Sequence, residues 1–365
     1  MHLSREQVAE LIAPHPDTLE LVYSWLNFSG VPPSSISMTD GGSWLTVSGV
    51  PIFQANKILG ASYEFYYHTW TNETILRTAS YALPKILHSH VKTIAPTTAF
   101  TSTRVMQRTP LRHSGGEAAQ ANVTSGETSD VLSRVDKDPV EPSFLRWLYS
   151  MPDIFPAPTD RNKLGIAGLS NEFPNQNDLL MFIAKYRTDL VRLITETQVV
   201  TVIPVNGGVD DRSPPGVAAN IDTQYSVALT FPTPIEYYTI GGAKVIDPGT
   251  NKIMDGDHYL EWLRYMTALE NVPRTISVPY FTRELDLPTA YVHTLCKMFE
   301  VLGVRGVSVL VASGDSGVGR NKGRRMDKRF STSFPASCTC DLLISLRTVH
   351  MRWHRVWVLI AHQPS

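Results

Sequence analysis

Three cysteines in 365 residues, Cys296, Cys338 and Cys340, are too few for a disulfide framework and have no metal-ligand spacing. An excess of either charge is also missing. The 33 Lys and Arg residues stand against 34 Asp and Glu, and a formal net charge of -1 argues for neither a nucleic-acid nor a membrane partner. No apolar run approaches transmembrane length; the late stretch Val356–Ala361 is short and follows Arg352 and Arg355. The amino terminus, Met1-His-Leu-Ser-Arg-Glu-Gln7, is polar and does not read as a signal peptide. There is no internal repeat. What remains is 42% hydrophobic and 18% charged, long enough for two or three domains with a sizeable core. N-x-S/T sequons at Asn27, Asn72 and Asn122 fit a secreted protein, but composition alone leaves the compartment open.

Residues 1–110 read as a small α+β unit. Ser4-x-x-Gln7 and Asp17-x-x-Glu20 both look like capping boxes that open short helices, and Gly30 closes the second. Strand-like runs follow at Trp44–Ser48, Tyr63–Trp70 and Ile75–Tyr81. A helical pattern at Ile52–Leu59 lies between the first two, and Thr71–Thr74 joins the last two as a hairpin. Residues 111–140 are rich in Gly, Ser, Glu, Ala and Asp, the composition of a flexible, protease-accessible linker. Beyond them strands and helices alternate. The strands are expected at Leu164–Leu169, Val199–Ile203, Tyr237–Ile240, Thr275–Val278 and Val307–Ala312. The helices are expected near Asp178–Lys185, Val217–Leu229, His258–Glu270 and Thr289–Gly303. That order implies an α/β fold, a doubly wound parallel sheet covered on both faces.

The run Val309–Gly319 contains Gly-Asp-Ser-Gly, which in isolation suggests the nucleophile loop of a trypsin-like protease. Its surroundings are a helix, a buried strand and a glycine loop at the strand's carboxyl end, where open α/β sheets place their chemistry. A G-x-S-x-G elbow also fails, because Val318 stands where the last Gly belongs. Asp315, rather than Ser316, is the candidate.

Several blocks in order carry a family resemblance. Residues 3–100, from Leu-Ser-Arg-Glu-Gln-Val-Ala-Glu-Leu-Ile-Ala-Pro to His-Val-Lys-Thr-Ile-Ala-Pro-Thr-Thr-Ala-Phe, resemble the kumamolisin-type activation propeptide of the sedolisins, the serine-carboxyl peptidases. Asn162–Gly168, Pro215–Tyr225 and Val307–Gly319 resemble successive blocks of the sedolisin catalytic domain, and the likeness is to fungal secreted tripeptidyl-peptidases. The resemblance implies an activation propeptide at 1–110, the amino-terminal part of a peptidase domain at 141–338 and a non-family tail at 339–365. It implies a subtilisin-like doubly wound sheet, truncated at its carboxyl part, behind a small α+β, ferredoxin-like propeptide. It also implies secretion, peptide or protein substrates, the propeptide as intramolecular partner, and calcium as a family cofactor whose site residues this chain lacks. Such enzymes use a Ser nucleophile, a Glu base and an Asp that orients the base. A second Asp, kept protonated, donates into the oxyanion hole. Matching the blocks, Asp222 falls on the orienting Asp and Asp315 on the oxyanion Asp.

Three departures predict an inert peptidase. The family's Glu-Ala-Asn-Leu-Asp reads Ala218-Ala-Asn-Ile-Asp222, so alanine stands in the position of the general base, a group worth ~10²–10⁴ in rate. No Gly-Thr-Ser follows Asp315 to supply the nucleophile. The strand that usually reads Ser-Tyr-Gly beside the cleft reads Pro279-Tyr-Phe281. Cys338 resembles a family cysteine that normally pairs, but no partner is evident, Cys340 being too close.

After Cys338 the likeness stops, and Thr339–Ser365 looks like translation of an intron or a shifted frame. An exposed apolar sheet edge and poor solubility are expected in consequence. The chain itself reads as an interior piece of a longer precursor. It is an inactive precursor or, alternatively, a pseudoprotease that acts as a peptide-binding, inhibitory or chaperone-like module. His350 and His354 at i,i+4, His88 and His90 on one strand face, and the basic run Arg320–Arg329 read as a chance pair, ordinary surface and a solvated loop.

Overall fold

A computed structural model describes residues 2–39, 43–67, 74–100, 140–151, 162–169, 172–196, 199–211, 216–241, 245–246, 253–254, 258–314, 332–338, 343–351 and 354–359. The amino-terminal unit has helices α1 (Arg5–Ile12), α2 (Pro16–Phe28) and α3 (Ile52–Leu59). Its strands β1 (Ile36–Met38) and β2 (Leu45–Val47) form one antiparallel pair, and β3 (Glu64–Tyr67) and β4 (Thr74–Arg77) another. The capping box of α1 is complete: Ser4 Oγ accepts from Gln7 N at 3.2 Å, and Ser4 N donates to Gln7 Oε1 at 2.9 Å. The second box does not form. Pro16 already fixes the first helical residue, so His15 is the cap of α2 and its Nδ1 accepts from Asp17 N at 3.3 Å. Val22, Leu26, Val31 and Leu87 make a small core.

The larger unit begins with α4 (Pro142–Leu148) and continues through β5 (Leu164–Gly168), α5 (Gln176–Tyr186), α6 (Val191–Glu196), β6 (Val200–Val205), α7 (Val217–Thr230) and β7 (Ile235–Ile240). The short pair β8 (Val245–Ile246) and β9 (Ile253–Met254) precedes α8 (His258–Ala268), β10 (Thr275–Val278), β11 (Thr282–Arg283), α9 (Thr289–Val304) and β12 (Ser308–Ala312). Strand β13 (Ser333–Phe334) pairs antiparallel with β11. The sheet runs β6-β7-β5-β10-β12 with every pairing parallel. Its strands are apolar because both faces are covered. Ile166, Ile235 and Tyr237 turn to α5–α7, while Ala167, Tyr238, Ile276, Val309 and Val311 turn to α8 and α9. The expected strands and long helices are all present.

One reading of the carboxyl end changes. The backbone of residues 343–351 forms β14, parallel to β12, and residues 354–359 form β15, antiparallel to β14. The tail therefore pairs with the sheet, and the edge of β12 is not open. His350 and His354 lie on opposite strands of this hairpin, in register with Arg355 and Met351.

Cys296 on α9 is bonded to Cys338, with Cα atoms 5.4 Å apart. Spacing alone hid this pairing, because the two meet only when Phe334 packs on α9. His88 and His90 follow a 3₁₀ turn rather than lying in a strand. His88 Nε2 bonds Leu83 O at 3.0 Å and His90 Nδ1 bonds Thr18 Oγ1 at 2.8 Å. The linker at 111–139, Asn72, Asn122, Asp315, Ser316 and the basic run Arg320–Arg329 lie outside the described residues.

Candidate active site

The chain leaves β5, builds β6 and β7 on one side of it, then crosses to build β10 and β12 on the other. The switch between β5 and β10 opens a crevice at their carboxyl ends, where α/β sheets bind ligands. Glu172 lies just beyond β5, Tyr280 just beyond β10 and Gly314 just beyond β12.

Helix α7 starts without a capping side chain of its own, since its cap residue is Gly216. The acceptor comes from elsewhere: Glu172 Oε2 accepts from Ala218 N at 2.8 Å and from Ala219 N at 3.4 Å. A carboxylate on the free N–H groups at a helix start is doubly favoured, by hydrogen bonding and by the helix dipole. Gly216 permits the approach, because a Cβ there would stand 2.4 Å from Glu172 Cβ.

One turn on from Ala218 is Asp222. The residue is half-buried as a whole, yet its Oδ2 is fully shielded and has no hydrogen-bond partner among the described residues. Burial first, and the nearby Glu172 carboxylate second, push the Asp222 carboxyl up to about 7. The methyl side chain of Ala218, one turn before it, offers that oxygen no polar group.

Two tyrosines close the crevice floor. Tyr237 donates to the backbone carbonyl of Glu172 at 3.1 Å and shares a hydrogen bond with Tyr280, and both rings are buried. Burial, then Tyr280, Asp222 and Glu172, hold the Tyr237 phenol well above its ordinary value. Tyr237 fits against β5 only because residue 168 is glycine; a Cβ there would lie 2.5 Å from the ring. Gly168→Ala is therefore expected to cost about 1–3 kcal/mol in urea unfolding by forcing the ring off its seat. A loss below about 0.5 kcal/mol would show that the ring moves freely.

At the end of β12, Gly314 has φ +96 and faces Ser333 and Phe281; the Phe281 ring lies 3.4 Å from a hypothetical Cβ. Phe281 thus fills the strand end next to the loop that leads to Asp315. Asp222 and Ala218 are placed together with Glu172. Asp315 is not described, so its distance from them is not part of this geometry. Among the described residues no group of three or more His, Cys, Asp or Glu could hold a metal ion.

Residues 1–100 match the family model described as Pro-kumamolisin, activation domain. Two fungal relatives extend the likeness over 92% of this chain. A probable tripeptidyl-peptidase SED3 of Trichophyton verrucosum is 30% identical over 349 residues, and tripeptidyl-peptidase SED2 of Arthroderma otae is 29% identical over 349. Over most of its length the chain is thus similar to fungal tripeptidyl-peptidases. It spans 56% of the length of each of these two relatives. A Pseudomonas sedolisin, a serine-carboxyl proteinase solved with two molecules of pseudo-iodotyrostatin, is similar at 17% identity and a TM-score of 0.39. That match covers 57% of this chain and 55% of that one. The segment that matches the activation-domain model, residues 1–100, lies ahead of an α/β unit with a parallel sheet.

Proposed function

We propose that the chain is an acid serine-type peptidase precursor of the tripeptidyl-peptidase kind that, as it stands, does not hydrolyse peptide bonds. In this reading Asp222 is the acid that orients a general base, and Asp315 donates into the oxyanion hole. Ala218 stands where the base would be. The observation that carries the reading is the idle, buried Oδ2 of Asp222 one turn from Ala218. General-base catalysis needs a group within hydrogen-bond reach of the proton it takes, and a methyl group takes none. Secretion is part of the proposal, supported by the Cys296–Cys338 bond, since such bonds persist in oxidising compartments.

A second reading has its own support. The amino-terminal unit is bonded to the sheet unit through Leu3 N to Val304 O at 2.9 Å, Arg5 to Ala268 O at 3.2 Å and Arg264 to Thr46 Oγ1 at 2.6 Å. A docked activation domain on an inert partner suits a pseudoprotease that binds peptides or acts on an active relative. One experiment separates the two readings. The full chain is incubated from pH 3 to 7 with a fluorogenic tripeptidyl amide and an internally quenched peptide, alone and mixed with an active fungal tripeptidyl-peptidase. No turnover by the chain alone is expected. Turnover that co-purifies with the chain would sink the proposal, and saturable inhibition of the active enzyme would favour the pseudoprotease.

A further inference from the structure

Of the N-x-S/T sequons, Asn27-Phe28-Ser29 lies among the described residues, at the carboxyl end of α2. Val22 and Leu26 of that helix point into the small core, so Asn27 and Phe28, the next two positions, turn outward. Asn27 is exposed, and its side-chain amide makes no hydrogen bond among the described residues. Its backbone, by contrast, is held. Asn27 O accepts from Gly30 N at 2.9 Å, and Gly30, at φ +78, turns the chain away from the helix end.

The surroundings of this amide are apolar. Phe28, the middle residue of the sequon, is 93% exposed. The first turn of α3 rests on the same helix end, where Gln54 Nε2 donates to Ser29 O at 3.3 Å and to Gly30 O at 3.1 Å. It carries Phe53, 76% exposed, and the exposed Ile52. These side chains stay exposed with the amino-terminal unit docked on the sheet unit, so the docking does not cover them. A single exposed apolar residue is ordinary; three gathered at one helix end, two of them phenylalanines, are a patch that promotes association in water.

We propose that Asn27 carries an N-linked oligosaccharide and that this glycan screens Phe28, Ile52 and Phe53 from other chains. The donor is an oligosaccharide linked to a lipid pyrophosphate. Asn27 Nδ2 bonds to the anomeric carbon of the first sugar as the bond from that carbon to the pyrophosphate oxygen breaks. The pyrophosphate leaves with the electron pair, and the amide gives up one proton. Ser29 supplies the hydroxyl that the sequon requires. A bulky, hydrated group here disturbs no packing, because neither Asn27 nor Phe28 belongs to the core. The inference rests on the secretion proposed above, which brings the chain to the transferase, and on no peptidase activity.

The test expresses the full chain in yeast behind a cleavable secretion leader, with Asn72→Gln and Asn122→Gln removing the other two sequons. Peptide N-glycosidase should then shift its gel band to lower mass. That shift should be lost in Asn27→Gln and in Ser29→Ala and kept in Ser29→Thr. Exported and cell-retained chains are both read, because transfer precedes export. The leader delivers the chain, so a missing shift overturns the site and says nothing against secretion of the natural protein. The screening has its own readout. Removing the glycan under native conditions should raise the fluorescence of a dye that binds apolar surface. The rise should be lost in the Phe28→Ser, Phe53→Ser double variant, whose sequon is intact. No rise in the parent chain, or an equal rise in the double variant, overturns the screening.

Discussion

Asp222→Asn should flatten a fall in stability that the parent chain undergoes between pH 3.8 and about 7. The sign follows from where the proton sits. Below 3.8 the carboxyl is neutral in both the folded and unfolded states and contributes no pH dependence. Above 3.8 the unfolded chain releases the proton while the folded chain keeps it, because burial and Glu172 disfavour the anion. The folded state then binds more protons than the unfolded state, so stability drops as pH rises and levels off once the folded group ionises near 7. A shift of this size corresponds to up to about 4 kcal/mol. Other carboxylates titrate in the same window, so the readout is the difference between parent and variant in urea unfolding at pH 4, 5.5 and 7.5. Asn cannot ionise, and its curve should lack this component. Glu172→Gln should weaken the fall without removing it, since burial is the larger cause. Parallel stability–pH curves for the parent chain and Asp222→Asn would show that the carboxyl is solvated in the folded protein.

The same carboxyl shows how far sequence alone reaches. The strands of the sheet were legible because each is a short apolar run buried on both faces, and α7 because its pattern opens cleanly after Gly216. Asp222 and Ala218 stood out through a departure within one block. Glu172 did not, because nothing in Asn171-Glu-Phe-Pro174 marks it and its target lies 46 residues away. The available signal was indirect: a helix that begins at Gly216 has no capping side chain and needs an acceptor from elsewhere. Proline outweighed a formal capping box at Asp17, since Pro16 pins the first helical residue. The pairing of residues 343–351 with β12 escaped because periodicity in a tail does not say which edge it will meet.

Replacing both Cys296 and Cys338 by alanine should cost about 4 kcal/mol and lower Tm by roughly 8 °C or more. The bond closes a loop between residues 42 apart, and a cross-link of that span removes conformational entropy mainly from the unfolded chain. Its position adds to the effect. One end lies on α9, whose other contacts include the docking bond from Leu3 to Val304, and the other lies just past Phe334. Phe334 is wholly buried, 5.2 Å from the ring of Tyr259 and 6.4 Å from that of Phe299. The segment carrying Asp315 is therefore tied at both ends, by β12 on one side and by Phe334 with the disulfide on the other. Reductant gives the matching control: it should bring the parent chain down to the Tm of the double variant and leave the variant unmoved. A double variant within 1 kcal/mol of the parent would mean that aromatic packing alone anchors the segment, with the bond adding nothing. The larger loss would mean that the chain needs an oxidising compartment to keep Phe334 and Cys338 seated on α9, and that cytosolic production yields a loosened seat whatever residue stands at 218.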